Sequence, residues 1–197
     1  LRTTAKCTAL APMTRPANTA RPTTRMAAST SSAVLRIGSK ARPIFGLGVP
    51  GVDITPAEIP IATITHDGRW LIGYVFNGTQ REITLYASPA QPVLAGKPPR
   101  WTRLVTAADA VSGASYFDDG LYLLSHKDSP RSKVLRLSLK SPDIAQAELI
   151  VPQGEQVGTG IASAADALYV ERRDGNIKRL FKRAHAGAAL QEVKLPI

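Results

Sequence analysis

The sequence predicts an all-β fold: a partial β-propeller of about three four-stranded antiparallel blades, set behind a disordered N-terminal tail. Two observations lead there. Paired strand-like runs closed by Asn, Asp or Gly turns occur three times, each flanked by further strand-like runs. The units also repeat, with 52 residues from Gly68 to Gly120 and 47 from Leu121 to Leu168. Four short antiparallel strands every ~40–50 residues is the repeat of a propeller blade. A sandwich explains the strands but not the period. No window sustains a 3.6-residue apolar period over four turns; Ala107–Ala110 and 144–148 read as single turns.

The tail comes first. Residues 1–42 hold Arg2, Lys6, Arg15, Arg21, Arg25, Arg36, Lys40 and Arg42 and no acidic group, the first carboxylate being Asp53. Residues 1–40 contain eight Ala and eight Thr, with Pro at 12, 16 and 22. Such a stretch buries too little apolar surface to offset its ordering entropy, so disorder is expected. Three readings of it compete: an organelle-targeting peptide, a basic arm for nucleic acid or anionic lipid, and a segment under no selection, such as GC-rich DNA read in a wrong frame. The sharp change of composition near residue 43 favours the last. No apolar stretch follows a basic start, so no secretory signal peptide is visible, and the compartment stays open between cytoplasm and periplasm.

Residues 43–197 form the expected propeller part. The first hairpin pairs Trp70–Phe76 with 79–86 through Asn77-Gly78, a dipeptide that accepts the positive φ of a type I′ turn. The second pairs 121–126 with 133–139, with Leu135, Leu137 and Leu139 on one face and Val134, Arg136 and Ser138 on the other. The third pairs 167–172 with 176–181, turned by Asp174-Gly175. Strand-like runs at 61–65, 111–117 and 159–163 precede the hairpins; runs at 101–106, 147–151 and 192–195 follow them. The blades therefore span about 61–106, 111–151 and 159–195. Trp70, Tyr74, Tyr86, Trp101, Tyr116, Tyr122 and Tyr169 are expected between blades. A blade buries its faces against its neighbours, so three alone are expected to leave two apolar faces unsealed and the chain prone to aggregate.

Charge excludes several classes. The chain carries a formal net charge of +10, from 25 basic and 15 acidic groups. With eight basic groups in the tail, the body keeps 17 against 15 and is nearly neutral, which argues against a folded phosphate-binding surface and a nucleic-acid partner. No apolar run approaches the ~18 residues of a membrane-spanning helix. The lone Cys7 excludes a disulfide framework and a Cys-based zinc site. Asp118-Asp119 and Asp143 have no third ligand at metal spacing, and turn formation explains them. Gly46-Leu47-Gly48-Val49-Pro50-Gly51 matches Gly-x-Gly-x-x-Gly, but Pro50, Pro56 and Pro60 forbid the helix a dinucleotide site requires. The basic run Arg172, Arg173, Lys178, Arg179, Lys182 and Arg183 reads as a charged surface strand that discourages edge pairing.

One stretch is more specific. Asp118-Asp119-Gly120-Leu121-Tyr122-Leu123-Leu124-Ser125-His126-Lys127-Asp128-Ser129-Pro130-Arg131-Ser132-Lys133-Val134-Leu135-Arg136-Leu137-Ser138-Leu139 resembles the propeller domain of the prolyl oligopeptidase family. Ser141-Pro142-Asp143, Leu149-Ile150-Val151-Pro152 and His66-Asp67-Gly68-Arg69-Trp70-Leu71 extend the likeness over roughly 43–185. The resemblance implies a serine-type endopeptidase module. In that family a seven-bladed propeller sits beside an α/β-hydrolase domain with a Ser, Asp, His triad, and the propeller admits short peptides cleaved after proline. This chain holds about three blades and no hydrolase domain, so it is expected to be a fragment, inactive alone.

No catalytic, cofactor-binding or metal-binding residue is assigned. Gly113-Ala114-Ser115-Tyr116-Phe117 comes nearest to a nucleophile elbow, but lacks the second glycine and lies in a strand pattern. His66, His126 and His185 are expected as solvated loop residues. Where the family can place a substrate-contacting arginine, this chain has Phe76. The expected partners are the parent's hydrolase domain and its short peptide substrates. The alternative function is a stand-alone propeller-type interaction module completed by self-association.

Overall fold

The computed structural model describes residues 32–37 and 40–194; the expectations for residues 1–31 lie outside the described residues. Strands β1 (Ser32–Ile37) and β2 (Lys40–Gly46) pair antiparallel. Three antiparallel four-stranded sheets follow in chain order. The first is β3 (Ile59–Ile64), β4 (Trp70–Phe76), β5 (Ile83–Pro89) and β6 (Thr102–Val105), with a short helix α1 (Ala90–Leu94) before β6. The second is β7 (Val111–Phe117), β8 (Gly120–Ser125), β9 (Lys133–Ser138) and β10 (Glu148–Val151). The third is β11 (Val157–Ser163), β12 (Ala167–Asp174), β13 (Ile177–Ala184) and β14 (Gln191–Val193). The turns expected at 107–110 and 144–148 are 3-10 turns at Ala107–Asp109 and Ile144–Gln146.

The sheets stack as consecutive blades, and β8 shows why the sequence folds so. All six of its residues are buried, because a middle blade has a neighbour on each face. Successive side chains of a strand point to opposite faces. Leu121 and Leu123 therefore join Ile72, Leu85 and Val105 of the first blade, while Tyr122 and Leu124 join Leu168 and Val170 of the third. Leu137 and Leu139 lie on the first-blade side and Val134 on the third-blade side, as the alternation predicts. Along the inner edge β11 lies against β7, where the Ser163 N–H donates to Ser115 Oγ at 2.8 Å.

Three features differ from the sequence expectation. The first hairpin is not closed by two residues: Phe76 pairs with Ile83, leaving a six-residue loop over 77–82. Burial sets this register. A two-residue Asn77-Gly78 turn would set Arg81 against Tyr74 in the inter-blade core, whereas the observed pairing sets Ile83, Leu85 and Ala87 against Phe76, Tyr74 and Ile72. In the third hairpin Asp174 pairs with Ile177, so the turn is Gly175-Asn176, one residue later than expected, with Gly175 at φ 57°. Strand structure also begins upstream of the boundary placed at residue 43, since β1 precedes it and β2 crosses it.

The two end faces of the arc are not both apolar and bare. Leu71, Val75 and Tyr86 of the first blade are covered by Ile44, Phe45, Val49, Ile54 and Trp101. Phe45 is fully buried, with its ring centroid 5.6 Å from that of Tyr86 and 4.7 Å from that of Trp101. Gly73 makes this possible, because a Cβ there would run into the Phe45 ring. Trp101 Nε1–H donates to the Ile44 carbonyl at 2.6 Å, and Arg42 donates to the Gly96 carbonyl at 2.8 Å. Tyr86 and Trp101 thus pack against the incoming chain, not between blades. The far face of the third blade carries Tyr169 opposite Lys182 and Glu171 opposite Leu180. Lys178 pairs with Glu171 at 3.1 Å, and Lys182 lies 5.9 Å from the Tyr169 ring centroid. Alternation decides this too: Leu168 and Val170 point inward, so Tyr169 and Glu171 point out.

Candidate functional site

An Asp turn recurs between the first two strands of each blade. Asp67 lies between β3 and β4, Asp118-Asp119 between β7 and β8, and Asp166 between β11 and β12. Arg69 bridges the first two turns, meeting Asp67 at 2.6 Å, Asp119 at 2.7 Å and Asp118 at 3.3 Å. Trp70 Nε1–H donates to Asp119 at 2.9 Å and Lys140 pairs with the same carboxylate at 2.9 Å. Tyr116 O–H, from the second blade, donates to Asp67 at 2.5 Å. Burial pushes the Asp67 carboxyl up, but hydrogen bonds from Thr65, Tyr116 and Arg69 outweigh it and hold the group well below the usual carboxylate range. Hydrogen bonds from Trp70 and Lys140 lower Asp119 as well. Arg69, bonded first to Asp67 and then to Asp118, is raised above its ordinary value. Among the described residues Asp67, Arg69, Asp118, Asp119 and Lys140 each pair within this group, so the cluster joins blades.

Between the second and third blades lies a cleft of about 450 Å³ lined by Phe117, Asp118, Tyr122, Arg136, Glu148, Ile150, Arg183 and His185. Cross-strand pairing sets the row Glu148, Arg136, Tyr122 on one wall. Arg136 donates to the Asp118 carbonyl at 3.1 Å, its guanidinium lying over Gly120 where a Cβ would press within 3.0 Å. On the facing blade the His185 ring stacks on Phe117, with centroids 3.5 Å apart and planes 6° from parallel. His185 Nε2 lies 2.8 Å from the Ala164 carbonyl and Nδ1 3.1 Å from Tyr122 Oη. A carbonyl only accepts, so Nε2 carries a proton and donates to Ala164.

The chemistry weighed from the sequence falls into place around these seams. Ser115 sits in β7 as a strand residue bonded to Ser163, far in kind from a nucleophile elbow. His66 is exposed beside Tyr116, as expected of a loop residue. His126 and His185 are partly exposed but also engaged: His126 meets Glu82 of the first blade at 3.0 Å, and His185 lines the cleft. Phe76 stacks on Tyr74 in the first seam, with ring planes 10° apart. Trp70, Tyr74, Tyr116 and Tyr122 lie between blades as expected, whereas Tyr169 faces outward. In the glycine run 46–51, Gly46 ends β2 and the rest is a loop that leads on to β3 with no helix between, Gly48 and Gly51 taking φ of 77° and 81°. In the basic hairpin Lys178, Arg179 and Lys182 pair with Glu171, Glu192 and Asp166, and Arg172 lies 5.4 Å from the Phe181 ring centroid. Among the described residues no group of three or more His, Cys, Asp or Glu is placed to hold a metal ion, and no helix is long and apolar enough to cross a membrane. The sequence reading missed the cleft. Its one legible trace is Arg136, a cation inside an alternating Leu strand on the face turned from the first blade.

Comparisons with known proteins agree with this geometry. No curated protein matches the chain. Among solved structures, one from a study of two prolyl endopeptidases and the role of inter-domain dynamics in their catalysis and specificity superposes with a TM-score of 0.68 at 19% identity, covering 84% of this chain and 24% of that one. Prolyl oligopeptidase B from Galerina marginata, apo, gives 0.65 at 16% identity, covering 86% of this chain and 24% of that one. The same enzyme bound to a 35mer hydrolysis and macrocyclization substrate gives 0.66 at 16% identity, with 86% and 24% coverage. The chain thus spans about a quarter of the length of these structures, and at such identities they establish its fold. The sequence model of the prolyl oligopeptidase N-terminal β-propeller domain matches residues 56–197, so this chain belongs to the prolyl oligopeptidase N-terminal β-propeller domain family.

Proposed function

We propose that these blades are part of the propeller of a prolyl oligopeptidase-like serine peptidase, packed beside a hydrolase domain that carries the reactive serine. Their work is sieving. A rigid wheel with a narrow entrance admits short, flexible proline-containing peptides and keeps folded proteins away, and the cavity behind it excludes bulk water from acyl transfer. The observation that carries the reading is the family match over 56–197, falling on three consecutive blades packed face to face. The buried seam between the first and second blades, where Leu121 and Leu123 meet Ile72, Leu85 and Val105, supplies the rigidity a sieve requires. The outward face of the third blade is where a further blade would continue the wheel.

Sequencing the DNA on both sides of this reading frame tests the parentage. The expected result is coding sequence for further blades and for a hydrolase with Gly-x-Ser-x-Gly. Flanks that encode neither contradict it. For sieving, the parent enzyme is expected to cleave a proline-containing octapeptide while leaving a folded protein with an exposed Pro-containing loop intact. Equal cleavage of both overturns the gate.

A further inference from the structure

We infer that the cleft between the second and third blades is a binding site for a small carboxylate-bearing ligand, gripped by Arg136 and Arg183 against the Phe117–His185 wall. The inference stands on this chain's own residues and does not depend on a hydrolase partner. Four charged groups line the cleft: Arg136, Arg183, Asp118 and Glu148. The Asp118 carboxylate is already engaged by Arg69 at 3.3 Å, on the side of the first blade. That leaves two guanidinium groups against Glu148, an excess of one positive charge, which matches a monoanion.

Arg183 is the clearest sign. It is half-buried, and among the described residues it makes no hydrogen bond or ion pair. Its planar fork is open to meet a carboxylate with two parallel hydrogen bonds. The rest of the cleft is rigid in advance. Gly120 leaves room for the Arg136 guanidinium, which the Asp118 carbonyl fixes. His185 is held by Phe117, Tyr122 and Ala164. Phe117, Tyr122 and Ile150 supply an apolar surface for the ligand's body. A volume of about 450 Å³ suits a molecule of one or two residues' size. A dianionic phosphate would meet Glu148 with one negative charge too many.

Calorimetric titration of the full chain tests this, with N-acetylphenylalanine as probe and its uncharged amide as control. Saturable binding of the acid is expected, with the amide weaker by about tenfold or more, the scale of a charged hydrogen bond. Arg183→Gln and Arg136→Gln are each expected to weaken the acid by a similar factor. Lys178→Gln, on the opposite face of the third blade, leaves it unchanged. Thermal melts confirm that each variant is folded, and Arg183→Gln, which leaves the Arg136 hydrogen bond to the Asp118 carbonyl intact, decides the matter should Arg136→Gln unfold. Benzoate and an acetyl-dipeptide acid separate the sources: tighter binding of the dipeptide assigns a peptide C-terminus, tighter binding of benzoate a free organic acid. Equal affinity for acid and amide, tighter binding of inorganic phosphate, or unchanged binding by folded Arg183→Gln overturns the proposal.

Discussion

Trp70 and Asp119, 49 residues apart in the chain, meet across the first inter-blade seam at 2.9 Å, indole N–H to carboxylate. Trp70 opens β4 of the first blade and Asp119 lies in the turn before β8 of the second, so the contact joins two blades. Trp70→Phe keeps the ring against the seam and removes the donor. It is expected to lower the urea midpoint with the m-value unchanged. Asp119→Asn should do the same, and the double variant should lose less than the two singles combined, since the groups share one interaction. Strict additivity contradicts the contact.

The same seam is expected to make the fold acid-labile. Asp67 and Asp119 are held below their ordinary carboxylate values in the folded chain, against about 3.9 when unfolded. Depressed carboxylates contribute stability that is complete above the unfolded value and disappears as pH falls through the folded one. Thermal midpoints should therefore be level near pH 6 and fall steadily between about pH 5 and pH 2. Asp119→Asn should flatten part of that fall. A profile identical to the parent's is the contrary result.

Phe45 closes the first blade, and its ring occupies the space a side chain at Gly73 would need. Phe45→Ala should cost about 3–5 kcal/mol, as for other buried aromatics. Gly73→Ala should cost on the order of 1–3 kcal/mol through overpacking. Combining Gly73→Ala with Phe45→Leu should recover part of the loss, because the smaller side chain clears the added methyl. Denaturant unfolding of the three variants reads this directly.

The purified chain should not hydrolyse a chromogenic proline-amide substrate. Its one near-match to a nucleophile elbow is a β-strand in which Ser115 Oγ accepts a backbone hydrogen bond from the next blade, and His126 and His185 are occupied in seams. Turnover above buffer contradicts this.

Much of the architecture was legible because inter-blade burial imposes a period of two on both faces of a strand. Leu121 to Leu124 record it in four consecutive apolar residues, and Val134 to Leu139 record it by alternation. The register of the first hairpin was not legible. Asn77-Gly78 signals a turn, but the burial of Ile83, Leu85 and Ala87 sets the loop length. Phe45 was overlooked because its role depends on Gly73 and Trp101, which lie far along the chain. The cleft was hidden for the same reason: Arg136, Arg183 and His185 sit on different strands, and only packing of two blades brings them together.

The split of β8 between its two neighbours is the most direct test of the wheel. Methyl-to-methyl nuclear Overhauser effects should connect Leu121 and Leu123 with Ile72, Leu85 and Val105, and connect Leu124 with Leu168 and Val170. If Leu121 and Leu124 instead share the same neighbouring sheet, or Leu124 shows no effect to Leu168 or Val170, the sheets are not consecutive blades.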